Sequence, residues 1–523
     1  MMRSKTGTVG RLGLFLVAIA AAGAHNAAAQ GRGGQNWTTT SGDAQRTAWV
    51  KTDPRISKES LQKPGFQLLW KTKLEAAPKQ LASLTQPMLL SNIISYKGFK
   101  ALAFIGGSND NVYSVDYDLS KLFWKTHLNT WAVPSGSVIC PGALTTITRA
   151  TPSGLPTPQA PPGPGGGGIR GGNQNVYVVA SDGEVHVLNP QTGDDLTPPA
   201  KFLPPGAKSV GAVLIDPILY AATADNCGNA PNGVWSIDLS SAAKTVSRWE
   251  TKGGSIAGSA GPTLGTDGRL YVATGDGEYS DASSSDAVVA LDAKTLERRD
   301  WFTPGKSPFT SSPVAFEHRG RHLLVAANAD GRLYLLDAAS LGGADHRTPL
   351  ARTTPYASAT PDFTAGALAT FTDAGGTRFV VAATGGPLHA ETKFPVVNGD
   401  VTNGALVAFT LVEQGNGWSL QPAWASRDLL SPVPPVVVNG VVFAVASGEH
   451  RSSDPQLTAA QRAQRSKPAV LYAIDAATGK ELWNSGTTIT SFVHGITPSA
   501  GDAQVYVVTY DGVLYAFGMP LEH

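Results

Sequence analysis

The stretch LYAIDAATGKELWNSG, residues 471–486, runs an alternating apolar segment into Asp475, turns through Thr478, Gly479 and Lys480, and delivers Trp483 eight residues after the aspartate. Period-two alternation marks a half-buried strand and the Thr-Gly-Lys marks a turn to a second one, so the stretch reads as a structural unit rather than a catalytic motif. Seven relatives recur: NVYSVDYDLSKLFW (111–124), EVHVLNPQTG (184–193), GVWSIDLSS (233–241), AVVALDAKTLERRDW (287–301), RLYLLDAAS (332–340), ALVAFTLVEQGNGW (405–418) and VLYAFG (513–518). At the aspartate position the eight units carry Asp116, Asn189, Asp238, Asp292, Asp337, Phe409, Asp475 and Phe517.

The last unit, TPSAGDAQVYVVTYDGVLYAF (497–517), shows three strands, and Asp-Gly turns at 182–183, 330–331 and 511–512 supply tight hairpins. A fourth strand is expected in each blade, with Trp70, Trp124, Trp249, Trp301, Trp424 and Trp483 in or near it in six of them and no Trp in the second and fifth, and these tryptophans read as packing residues that dock one blade on the next. Units of about 40 residues with four antiparallel strands cannot bury both faces alone and must stack, which predicts an all-β, eight-bladed β-propeller over residues 66–519. The last unit lacks its fourth strand, whereas FQLLWKT (66–72) is such a strand with no unit before it, so the N-terminal strand is expected to complete the last blade.

Only 15% of the 523 residues are charged, the net charge is +1, and 58 Gly and 36 Pro give a turn-rich chain, so no footprint for nucleic acid appears. Arg3 and Lys5 precede the apolar run 12–24, and an A-x-A pattern ends at Ala29. Residues 1–29 therefore read as a secretory signal peptide, followed by an extension at 30–65, and the protein is expected to be periplasmic or secreted, with no membrane span. The tail is 520–523, and the Pro/Gly-rich insertion 150–172 is expected to be disordered.

The repeat LYAIDAATGKELW resembles that of pyrroloquinoline-quinone (PQQ) dehydrogenases and the wider group of PQQ-like propellers, a group that holds enzymes, assembly scaffolds and sensors. The resemblance implies a calcium ligand at Asp276, just after the Thr-Gly of GRLYVATGDGEYSDASSSD. It also implies a catalytic carboxylate in GKSPFTSSPVAF (305–316) and a quinone-contacting lysine in ANADG (327–331), yet the first stretch has no carboxylate and the second has Ala329. No adjacent cysteine pair and no C-x-x-C-H haem motif is present.

Loops joining second and third strands are long at 223–233, 274–286, 384–404 and 447–468, and together they decorate one face. Cys140 and Cys227 reach that face and read as a structural disulfide, with two free thiols the alternative. His389, His450 and His494 reach it too, either as a metal or catalytic cluster with Asp276, Glu278 and Glu449 or as surface histidines in polar loops. Asp276, Glu278, Asp281 and Asp286 read as a solvated acidic loop or a calcium site. DPQLTAAQRAQRSK (454–467) predicts a short helix capped by Asp454 with Pro455 in its first turn, as a lid or an exposed spacer. These readings favour an exported binding or scaffold module whose protein partner or small ligand meets the decorated face. The alternative is a divergent dehydrogenase using PQQ and calcium to oxidise an alcohol, polyol or sugar and passing electrons to a separate cytochrome, with Glu278, His389 or His450 replacing the missing base.

Overall fold

The computed structural model describes residues 36–520 apart from 76–80, 96–97, 129–139, 141–144, 156–172, 281, 359, 361, 416, 453 and 455. The expected signal peptide, residues 156–172 of the insertion, Asp281, Pro455 and residues 521–523 of the tail therefore lie outside the described residues.

Eight antiparallel sheets follow one another along the chain, spanning 88–127, 146–201, 208–250, 263–302, 314–352, 369–425, 436–484 and 499–518. Each is a blade whose first strand faces the axis and whose apolar faces pack on its neighbours, with buried clusters joining blades two to three, three to four and four to five. The eighth sheet has three strands from the C-terminal unit and takes its fourth, Gln67–Lys73, from near the N-terminus, with Trp70 opposite Ala516. This is the expected closure, and it leaves no seam in the ring. Blades six and seven each gain a short fifth strand in parallel pairing, Val396–Val397 beside Trp424 and Ala425, and Trp49–Val50 beside Val437 and Val438.

Residues of the 30–65 segment do more than extend the chain, because they occupy the axis. Leu89 N–H donates to Trp37 O, Arg149 N–H to Thr38 O, and Thr39 Oγ1 to Ala212 O, which serves blades one to three in turn. Leu264, Ala315, Thr370 and Val437 then donate to the carbonyls of Ala44, Gln45, Thr47 and Ala48, serving blades four to seven, and Ala503 of blade eight donates to the Asp53 carboxylate. Trp37 and Arg46 are 2% and 1% exposed, so the segment is core. Part of the 150–172 insertion is fixed as well: Thr151 N–H donates to Leu214 O, and Gln45 Nε2 donates to Ser153 O.

Blade-to-blade docking depends on register. Trp124, Trp483, Trp424 and Trp70 stand opposite Ser114, Ala473, Ala408 and Ala516. Those partners lie two residues before Asp116, Asp475, Thr410 and Gly518. The aspartate position in blades six and eight is therefore Thr410 and Gly518, one residue beyond Phe409 and Phe517. In this register the indole N–H of Trp70, Trp124 and Trp424 donates to the carbonyl just after the next blade's aspartate position or its equivalent, that of Tyr117, Pro190 and Ala476 (3.0, 2.9 and 2.9 Å). Trp483 instead meets Phe517 of blade eight edge-on at 5.8 Å. Trp301 is opposite Val289 and Trp249 opposite Val234, one and two residues along from the docking register, and neither docks this way.

The turn glycine completes the dock. Gly479 has φ +72°, and a Cβ there would stand 2.5 Å from the Trp424 ring. Gly479→Ala is expected to lower stability by about 2–3 kcal/mol, combining left-handed strain with the lost ring contact. Gly486→Ala, at φ +53° with open space around it, should cost about 1 kcal/mol. Equal losses in urea unfolding would refute the ring contact.

Candidate functional site

The long second-to-third loops of blades three, four, six and seven lie on one face with the loops that lead into the blades. Cys140 and Cys227 form a disulfide there with Cα atoms 5.5 Å apart, closing the expected pair. Beside it, Asp225 pairs with Lys208 at 2.6 Å and accepts from Ser255 Oγ at 2.8 Å.

The most developed polar cluster of this face is centred on Glu449, in the blade-seven loop and fully buried. His494 Nδ1 lies 2.7 Å from its Oε1 and Arg462 Nη1 3.2 Å from the same oxygen, while Arg451 Nη2 stands 3.5 Å from Oε2. Arg462 also pairs with Asp362 at 2.6 Å, and Arg451 donates to the Asp362 carbonyl, so the loop before blade six is tied in. Burial pushes the Glu449 carboxyl up, but His494, Arg451 and Arg462 together outweigh it and hold the group at about 2. An acid held so low is a fixed anion, not a general base near neutral pH. With Nδ1 turned to Glu449, His494 keeps Nε2 as the atom able to exchange a proton or meet a ligand.

The helix that carries Arg462 spans Ala459–Arg465. Its cap is Thr458 rather than Asp454, because Thr458 and Gln461 form a reciprocal capping box. Asp454 instead accepts from Gln456 N–H in the preceding turn. Arg462 is 5% exposed, so this helix is fastened to the face through a buried ion pair.

The other candidates are scattered. His389 is partly exposed and its Nδ1 accepts from Glu391 N–H, while His450 is held through its backbone by Ser466. Glu278 pairs with Lys306 at 3.3 Å in open solvent, which contributes little. Asp276 is exposed; nearby Asp286 is 2% exposed, and burial followed by the charge of Asp276 raises its carboxyl to about 6. Among the described residues no group of three or more His, Cys, Asp or Glu side chains converges as a metal site.

The positions where the resemblance implies a base and a lysine do come together, since Ala329 N–H donates to Pro308 O and Ser307 Oγ to Asn328 Oδ1. The stretch 305–316 brings no carboxylate and the lysine position holds Ala329, and Phe309 beside them is buried against Phe302 and Tyr334. The axis itself is narrow at this end. Ser259 of the loop before blade four and Ser312 before blade five both donate to Gly366 O before blade six, and a Cβ on Gly366 would lie 3.0 Å from Pro434 before blade seven. Blades four and six touch here without being neighbours, so the described residues do not form a seat for a flat tricyclic quinone on the axis.

This architecture, an eight-bladed β-propeller, is similar to that of PQQ-like propellers. A family model described as outer membrane protein assembly factor BamB matches residues 457–519. The chain is similar in structure to the quinohemoprotein alcohol dehydrogenase of Comamonas testosteroni, with 13% identity, 93% of this chain and 82% of that one covered, and a TM-score of 0.56. It is also similar to a europium-containing methanol dehydrogenase, with 11% identity, 93% and 98% covered, and a TM-score of 0.59. At such identities the likeness concerns the fold. The sequence matches none of the curated proteins.

Sequence reading placed Glu449 and His494 on this face but missed Arg451, Arg462 and Asp362. The Thr-x-x-Gln of 458–461, followed at once by Arg462, was the signal that could have placed the start of the expected helix and drawn attention to Arg462. Glu449→Gln leaves two arginines facing a neutral amide and is expected to cost about 3 kcal/mol. Because the folded value lies below the ordinary 4.5, the carboxylate stabilises the fold above that pH and its contribution fades as pH falls towards 2. Unfolding at pH 7 and pH 3 should therefore show a smaller pH dependence in Glu449→Gln than in the parent, and identical profiles would refute the ion network.

Proposed function

We propose that the protein is an exported binding or scaffold propeller that presents its loop face to a protein partner or a small ligand. The observation that carries this reading is the N-terminal segment on the axis, bonded to all eight blades, so that the chain itself occupies the axis. Ala329 and the carboxylate-free stretch 305–316 support it, and so does the match of residues 457–519 to a family described as an assembly factor. The leader-like residues 1–29 and the disulfide support export.

The test is titration of the purified protein with PQQ in the presence of calcium, followed by absorbance, with dye-coupled oxidation of alcohols, polyols and sugars as a second readout. No saturable PQQ binding and no dye reduction is expected. Stoichiometric PQQ binding with substrate-dependent dye reduction would overturn the proposal in favour of a divergent quinone dehydrogenase, with electrons leaving to a separate cytochrome.

A further inference from the structure

A second polar feature lies away from the axis, on the outer wall between blades three and four. A cavity of about 450 Å³ opens there, lined by Arg248, Trp249, Glu250, Lys252, Ser284 and Arg298 among others. Its size falls within the usual range for small-molecule sites, about 300–1,000 Å³.

Trp249 lines it because it is released from docking. The Ala293 carbonyl, equivalent to those that accept from Trp70, Trp124 and Trp424, accepts instead from the Tyr220 hydroxyl at 2.7 Å. At the next junction the Ala338 carbonyl accepts from Arg269 at 3.0 Å, which frees Trp301. Trp301 is stacked between Tyr279 at 5.4 Å and His346 at 3.7 Å, and the Arg298 guanidinium lies over it at 4.6 Å. Arg298 Nη1 donates to Tyr279 Oη at 2.7 Å and to Ser284 Oγ at 3.4 Å. The guanidinium is thus oriented in advance by a ring stack, and these bonds use one corner of a fork with five donors.

Among the described residues, charge in the cavity is one-sided. Arg248, Lys252 and Arg298 face one acid, Glu250, which pairs with Arg248 at 3.0 Å. Lys252 has no ion pair among the described residues. A fixed guanidinium recognises a planar carboxylate bidentately, an indole offers a flat apolar face, and Glu250 and the Ser284 hydroxyl can meet hydroxyl groups. We propose that this cavity binds a six-membered ring bearing a carboxylate, the chemistry shared by sugar acids and aromatic acids. The inference is independent of the function proposed for the loop face.

Isothermal titration of the intact protein with D-glucuronate and with benzoate tests it and separates the two sources, with D-glucose as the uncharged control. At least one acid should bind saturably below about 10 mM, and D-glucose about tenfold more weakly or not at all. Arg298→Gln should weaken the acid about tenfold or more, as expected for a lost charge-assisted bond. Arg248→Gln, a solvent-exposed change that spares the stack, should weaken it by a smaller factor, and Arg427→Gln on blade six should leave it unchanged. Absence of saturable binding of either acid to the parent protein would overturn the proposal. So would affinity unaltered in both Arg298→Gln and Arg248→Gln, or glucose binding as tightly as the acids.

Discussion

A propeller ring leaves the inner edge of every first strand facing the axis, with backbone N–H and C=O groups that water reaches poorly. Buried backbone groups of this kind must find partners. In this chain the partners come from one peptide segment, which offers Trp37 O, Thr38 O, Ala44 O, Gln45 O, Thr47 O and Ala48 O to successive blades and reaches the remaining two through Thr39 and Asp53. Much else follows from that choice. The axis is filled, the loops before blades four, five and six close together over it, and chemistry is pushed outward to the loops and the wall.

The ring also needs each blade to sit squarely on the next, and there the strand register decides. Trp124 and Trp424, each opposite the residue two before the aspartate position, point their N–H at the neighbouring blade's turn, where Gly193 and Gly479 in left-handed conformation let the ring approach. A shift of one residue turns a side chain to the other face of the strand. Trp301 is such a case, and it stacks on Tyr279 and His346 instead.

The fold was legible because strand alternation and hairpin turns are local, and eight copies of LYAID-like pattern reinforce one another. The closure by Gln67–Lys73 was legible for the same reason, as was the cysteine pair. The axial segment was not, because its bonds use backbone carbonyls, which side-chain identity does not report. The Glu449 cluster was half legible: its acid and histidine stand in recognisable loops, but Asp362 and Arg462 meet only when blades six and seven are side by side. The cap at Thr458 was misread because Asp454-Pro455 and Thr458-x-x-Gln461 both resemble helix starts, and the reciprocal box satisfies two backbone groups where a lone aspartate satisfies one. The roles of Trp249 and Trp301 were in the spacing. Trp124 and Trp483 follow their aspartates by eight residues; Trp301 follows Asp292 by nine and Trp249 follows Asp238 by eleven.

Those two exceptions bear on function. A docked tryptophan commits its N–H and one ring face to the neighbouring blade. At the third and fourth blades the carbonyl acceptors are met by Tyr220 and Arg269, so the ring stays closed while both indoles are released from that duty. One then orients an arginine and the other lines a cavity with it. Both exchanges fall on the flanks of blade four, whose Ser284 and Arg298 line that cavity, and there a structural tryptophan lines a cavity instead of docking.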